Sequence, residues 1–175
     1  MSENSENVAF IDGQNLHLGT KECGWSIDHA KFRIYLKDKY KVGEAYYFLG
    51  FISQKEHELY ENLQKAGFIL SFREHAPVLM GSKKGNVDCD IVFGIMKKLV
   101  EREPFEKVFI VSGDGDYKKV VDYLIGKEKF GKMLFPNQRF ASSLYKALGW
   151  SWFDYLDDPD IRAKIEYGPK LKKAP

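Results

Sequence analysis

With 175 residues, 44% of them hydrophobic and 15% aromatic, the chain has the length and apolar content of a single ordinary domain. That content excludes a disordered chain in spite of 30% charged residues. Lysine and arginine total 27 against 25 acidic residues, and a net charge of +2 excludes attraction by a strong global field, leaving a local basic patch as the route to nucleic acid.

The opening MSENSEN is polar and reads as a flexible tail over residues 1–7. It has neither the basic nor the apolar region of a signal peptide. Val8 to Ile11, VAFI, is a short apolar run of the kind that forms a strand buried on both faces, and it ends on the turn-forming DGQN. Residues 28–39 place Phe32, Tyr35 and Leu36 at helical spacing behind the N-cap candidate Asp28. VGEAYYFLG, 42–50, is a second strand. A helix over 54–66 follows, with Leu59, Tyr60 and Leu63 on one face and Gly67 as its stop. FILSFRE, 68–74, is a third strand, and the aperiodic HAPVLMGSKKGNVD reads as a loop.

From Asp88 to about residue 102 the period is helical again, through Ile91, Val92, Ile95, Met96, Leu99 and Val100. KVFIVS, 107–112, is the fourth strand and leads through SGDGD into a helix that runs to Ile125. KMLF is a fifth strand, RFASSLYKAL a last helix, and WSWFDYL a short edge strand. The sequence divides into one domain over 8–157 and a basic tail over 158–175, frayed from Arg162 onward. Cys23 and Cys89 show no CxxC spacing and read as reduced thiols, and no apolar run approaches a membrane span. A cytoplasmic protein without membrane association is expected.

Strands alternating with helices imply βαβ units. The expected fold is α/β, a Rossmann-like three-layer αβα sandwich with a mainly parallel sheet of about five strands. In such sheets ligands sit beyond the carboxyl ends of the strands. Asp12 and Asp114 both follow buried-type strands and emerge at that rim. Asp88 falls at the centre of the Ile91, Ile95, Leu99 stripe, so it opens its helix on the side facing the sheet. Asp116 lies in the first turn after Asp114. Taken singly, each of these reads as a cap or turn residue. Taken together, three or four carboxylates on one rim repel each other unless a cation intervenes. An all-oxygen set without His or Cys suits Mg²⁺ or Mn²⁺. The glycines beside Asp114 leave room for a tight turn and a ligand, and Asn15 is placed to orient a carboxylate or a water.

Other motifs fail. GDGDY starts like an EF-hand loop, but Ile125 stands where the bidentate Glu is needed. GxxxxGK[ST], GxGxxG and GxSxG are all missing. His17, His29, His57 and His75 have no ligand spacing. Asp90, about 200° round the helix from Asp88, reads as a solvated residue on the face of Gly94 and Lys97. Tyr117, in helical register with Val120, Val121 and Leu124, reads as core, with base stacking as its alternative.

VAFIDGQNL, KKGNVDCDIV, VFIVSGDGDYKKVVDYL and KMLFPNQRFASSLYKAL, in that order, resemble the NYN domain family of the PIN-like nucleases over about residues 8–150. The resemblance implies a Rossmann-like sheet and a metal-dependent ribonuclease site. It makes Asp12, Asp88 and Asp114, with Asn15 beside them, the catalytic residues, and Asp12, Asp88, Asp114 and Asp116 the metal ligands. Many members carry a further acidic residue near the position of Gly94, from which this chain departs. The expected function is hydrolysis of RNA phosphodiester bonds with Mg²⁺ or Mn²⁺ and no small-molecule cofactor. Lys83 and Lys84 are candidate phosphate contacts, with Arg139 and the basic tail as weaker ones. The rival is a catalytically weak or inactive NYN domain that binds RNA or serves as a regulatory module. Phosphatase chemistry ranks last, because IDGQN lacks the second Asp of an aspartyl-nucleophile site.

Overall fold

Apolar runs such as VAFI and VFIV need cover on both faces, and the chain supplies it with helices between consecutive strands. The computed structural model of the chain describes residues 5–74 and 87–168. One sheet is built from β1 (Asn7–Asp12), β2 (Val42–Leu49), β3 (Ile69–Phe72), β4 (Val108–Val111), β5 (Phe130–Phe135) and β6 (Phe153–Tyr155). The order is β3-β2-β1-β4-β5-β6, and every neighbouring pair is parallel. The chain works outward from β1 in one direction and then returns to β4 beside it. β1 and β4 therefore flank the switch point, where crossover helices diverge and leave a crevice.

Period-two alternation sorts the strands onto two buried layers. Val8, Phe10, Val108 and Ile110 face one way, against α4 (Asp88–Val100) and α5 (Lys118–Gly126). Ala9, Ile11, Phe109 and Val111 face the other. That second layer is covered by α1 (Gly13–Glu22), α2 (His29–Tyr40), α3 (His57–Ala66) and α6 (Pro159–Ile165). The αβα sandwich is the expected one, with six strands in place of five because the 150–156 segment does supply an edge strand. Among the described residues no helix is long and apolar enough to cross a membrane.

Three elements differ from the sequence reading. DGQN is the first turn of α1, capped by Asp12, and not merely a turn. Its buried apolar content is little more than Leu16, too sparse for a helical period to show. RFASSLYKAL forms only a tight 3₁₀ segment over Ser143–Leu148, with Tyr145 buried. Arg162 belongs to α6, not to a frayed tail. Asp158 caps this helix, Pro159 holds its first position, and Ile165 is fully buried. The N–H of Asp28 donates to the Ile165 carbonyl at 2.9 Å and that of Tyr167 to Ser26 at 2.8 Å, fastening the segment to the loop before α2.

Replacing Ile165 with Ala should therefore destabilise the protein by about 2–5 kcal/mol. Urea denaturation checks this, and a change near zero would restore the frayed tail.

Candidate metal centre

Asp12 ends β1 two residues beyond Phe10, so it shares the face of Phe10, toward α4. α4 begins with Asp88, on the same side of the helix as the fully buried Ile91 and Ile95. β4 leaves the sheet next to β1 through Ser112, Gly113 and Asp114. Three distant segments thus deliver carboxylates to the switch point.

One carboxylate oxygen from each of Asp88, Asp114 and Asp116 lies within 4.8 Å of the others. Asp88 is buried, Asp114 half-buried and Asp116 exposed, so the trio grades from core to solvent. Asp12, only 5% exposed, stands behind them. The Tyr117 hydroxyl joins the two buried acids, lying 2.6 Å from Oδ1 of Asp88 and 3.2 Å from Oδ2 of Asp12. The other Asp12 oxygen accepts the N–H of Asn15 at 3.0 Å. Oδ1 of Asn15 in turn accepts the N–H of Gly113 at 2.8 Å, lacing the end of β1 to the turn after β4. Asp114 accepts the Asp116 N–H at 3.0 Å, and its own N–H donates to Ser112 Oγ at 3.1 Å.

The segment after β5 closes over this turn. Ser142 N–H donates to the Gly113 carbonyl at 3.1 Å, and the buried Tyr145 hydroxyl donates to the Asp114 carbonyl. A Cβ at Gly115 would come within 2.8 Å of Ser142 Oγ, and one at Gly113 within 3.2 Å of the Phe140 carbonyl. The glycines beside Asp114 thus make room for this segment as much as for any ligand. Between the turn and the segment opens a cleft of about 400 Å³ lined by Asn15, Leu18, Asp114, Pro136, Asn137 and Phe140, among others.

A model of the NYN domain matches residues 7–148. The chain belongs to the NYN domain family. It is 22% identical over 171 residues to the Low amplitude and bright protein LabA of Synechococcus elongatus, spanning 93% of this chain and 88% of that protein. The crystal structure of a protein of unknown function from Vibrio parahaemolyticus shares the fold, with a TM-score of 0.76 at 20% identity. That match covers 95% of this chain and 99% of the other.

The electrostatics of this NYN domain follow from the crowding. Burial pushes the Asp12 carboxyl above its ordinary range. The Asn15 N–H opposes that shift, while the charges of Asp88 and Asp114 reinforce it. Asp116 is raised by the neighbouring Asp114 and then by Asp88. Burial, with Asp12 and Asp88 beside it, drives the Tyr117 hydroxyl far above its usual range, so it remains a donor at any working pH. Among the described residues no lysine or arginine forms an ion pair with Asp12, Asp114 or Asp116. Even Lys118, next to the site in sequence, is paired with Asp122.

The structure gathers Asp88, Asp114 and Asp116 most closely, with Asp12 one hydroxyl away and Asn15 bracing the turns. Asp88 is no cap; its carboxylate is held by Tyr117. Asp12 and Asp114 do cap their helical turns while standing in the cluster. Asp90 is half-buried, lining a groove with Gly94, Phe10 and Phe48, and does not join the trio. A Cβ on Gly94 would sit 3.2 Å from the Phe10 ring, so that position meets aromatic packing. Lys83 and Lys84 lie outside the described residues. Tyr117 is core by its ring and part of the site by its hydroxyl, a double role that apolar spacing alone does not reveal. Asn137 and Tyr145 lie within KMLFPNQRFASSLYKAL, but nothing in that stretch ties either side chain to the site.

Because the folded-state pKa of Asp12 is raised, the native state binds this proton more tightly than the unfolded chain does. The contribution is fully present below the unfolded value of about 3.8 and is lost as pH rises through the folded value. In metal-free protein at neutral pH, Asp12→Asn should raise the melting temperature, since Asn still caps α1, and the gain should vanish near pH 3–4. Tyr117→Phe removes the donor between two buried carboxylates and should lower stability by about 1–3 kcal/mol at pH 7. Thermal melts across the pH range check both.

Proposed function

We propose that this NYN domain is a ribonuclease dependent on Mg²⁺ or Mn²⁺, held by Asp88, Asp114 and Asp116. The observation that carries this reading is the approach of the three carboxylate oxygens to within 4.8 Å of one another at the switch point. The donor set fits: it is all oxygen, graded from buried to exposed, and without a cationic side chain paired to Asp114 or Asp116. When bound, such an ion supplies Lewis-acid stabilisation of charge on the phosphodiester and acidifies the attacking water.

The chain's own residues prepare the site. Tyr117 fixes the orientation of Asp88 through its hydroxyl, and the Asp116 N–H does the same for Asp114. Asn15 and Ser112 hold the turn that presents Asp114. Asp12, with its raised pKa, is a positioning residue acting on Asp88 through Tyr117, and its negative charge adds to the field that favours a cation. The cleft beside Asp114 gives a phosphodiester its approach, and water is the nucleophile, so no Ser/His or Cys/His pair is needed. A second reading, an RNA-binding module without turnover, draws support from Gly94. Its packing under Phe10 leaves no carboxylate where many members have one.

Labelled single-stranded RNA incubated with Mn²⁺, Mg²⁺ or EDTA separates the two. Cleavage should require the ion and fall on the order of a hundred-fold or more in Asp88→Asn and Asp114→Asn. Equal traces in wild type and variants would overturn the nuclease, and binding without cleavage would select the module. Independently, ion at a hundred times its Kd should stabilise the wild type by about 2.7 kcal/mol and leave Asp114→Asn nearly unmoved.

A further inference from the structure

We propose that Phe140, with Arg139 over its ring, is a stacking platform that seats one nucleobase of the strand beside the acidic cluster; this rests on the ribonuclease reading. Phe140 is 55% exposed and lines the cleft that Asp114 also lines. Phe93 and Trp150 are more exposed, at 68% and 77%, but neither lines that cleft. Position is what distinguishes Phe140.

The ring is displayed by a built loop. The Phe140 N–H donates to Oδ1 of Asn137 at 2.8 Å. Asn137 is itself only 2% exposed, and its amide nitrogen donates to the Gly19 carbonyl of α1 at 2.6 Å. A buried polar side chain satisfied on both sides is a rigid anchor. Two residues beyond Phe140, the Ser142 N–H to Gly113 bond ties the same loop to the turn that carries Asp114. Phe140 and Asp114 therefore project from one braced backbone unit.

The chemistry around the ring matches a nucleotide. Leu18 and Leu144, each about half exposed, lie beside the same turn, Leu18 in the cleft and Leu144 against Gly115. They form an apolar collar beside the turn that carries Asp114. An apolar collar favours the flat face of a base, and every base has one, so the seat tolerates any sequence. The Arg139 guanidinium, 5.9 Å from the ring centroid, is exposed and free of any ion pair among the described residues. It supplies a cation for the adjoining phosphate, which the acidic cluster cannot.

The test measures binding of a fluorescently labelled single-stranded RNA octamer in Ca²⁺, by anisotropy, with an octamer lacking one base as the control. Phe140→Ala should weaken binding of the intact octamer about five- to hundred-fold while melting like the wild type. Phe140→Trp should bind at least as well and show quenching of the added indole on titration. The platform is overturned if the Ala variant binds or cleaves like the wild type, or if the added indole is not quenched. It is also overturned if the wild type does not bind the octamer, or if the control octamer loses as much affinity as the intact one. Binding that depends on Phe140 in a protein that cuts nothing would support the platform while removing the nuclease. Undiminished cleavage in Phe140→Ala would do the reverse.

Discussion

Strands β1 and β4 run side by side in the same direction, with Ile11 opposite Val111, so the chain leaves the sheet at two adjacent points on one rim. Asp12 at the end of β1 and Asp114 three residues past the end of β4 are thereby brought to one rim, and α4 adds Asp88. Repulsion among these groups is the constraint to which the surrounding structure responds. The responses are hydrogen-bond donors rather than opposite charges: a tyrosine hydroxyl, main-chain N–H groups and an asparagine that laces the two strand ends. Donors hold the carboxylates in place without neutralising them. A lysine in the same spot would have quenched the field that a cation needs.

The sheet was legible because buried parallel strands write themselves as apolar runs, and VAFI and VFIV are of that kind. The three-segment convergence was legible for the same reason: a strand end fixes where the next side chain emerges. Asp88 was found from helical phase alone. What escaped was α1, whose outward residues outnumber its buried ones, and the end of the chain, where a short capped helix hides in a basic composition. Within the site, Tyr117 escaped because a residue buried by its ring gives no sign of where its hydroxyl ends. The role of the loop after β5 escaped too, since nothing local in PNQRFASS announces contact with the distant turn of SGDGD.

Asp12 also changes meaning between sequence and structure. By position it looks like the equal of Asp114, yet it lies deeper and reaches the trio through a single hydroxyl proton with two acceptors. The acids thus grade from the buried Asp12 and Asp88 to the exposed Asp116, with Asp114 between them lining the cleft. A buried carboxyl such as that of Asp12, crowded by other carboxylates and with no cation paired to it among the described residues, is characteristic of sites shaped for something other than folding.

The two glycines of SGDGD lie under the closing segment, where added side chains would crowd the Ser142 hydroxyl and the Phe140 carbonyl. Their small size serves the packing of the closing segment and would do so equally in a chain whose aspartates had been exchanged for neutral residues. In comparing relatives, then, the glycines report that the architecture survives, and only the carboxylates between and after them report on chemistry. A fingerprint that scores all five letters alike would count silent descendants among the active ones.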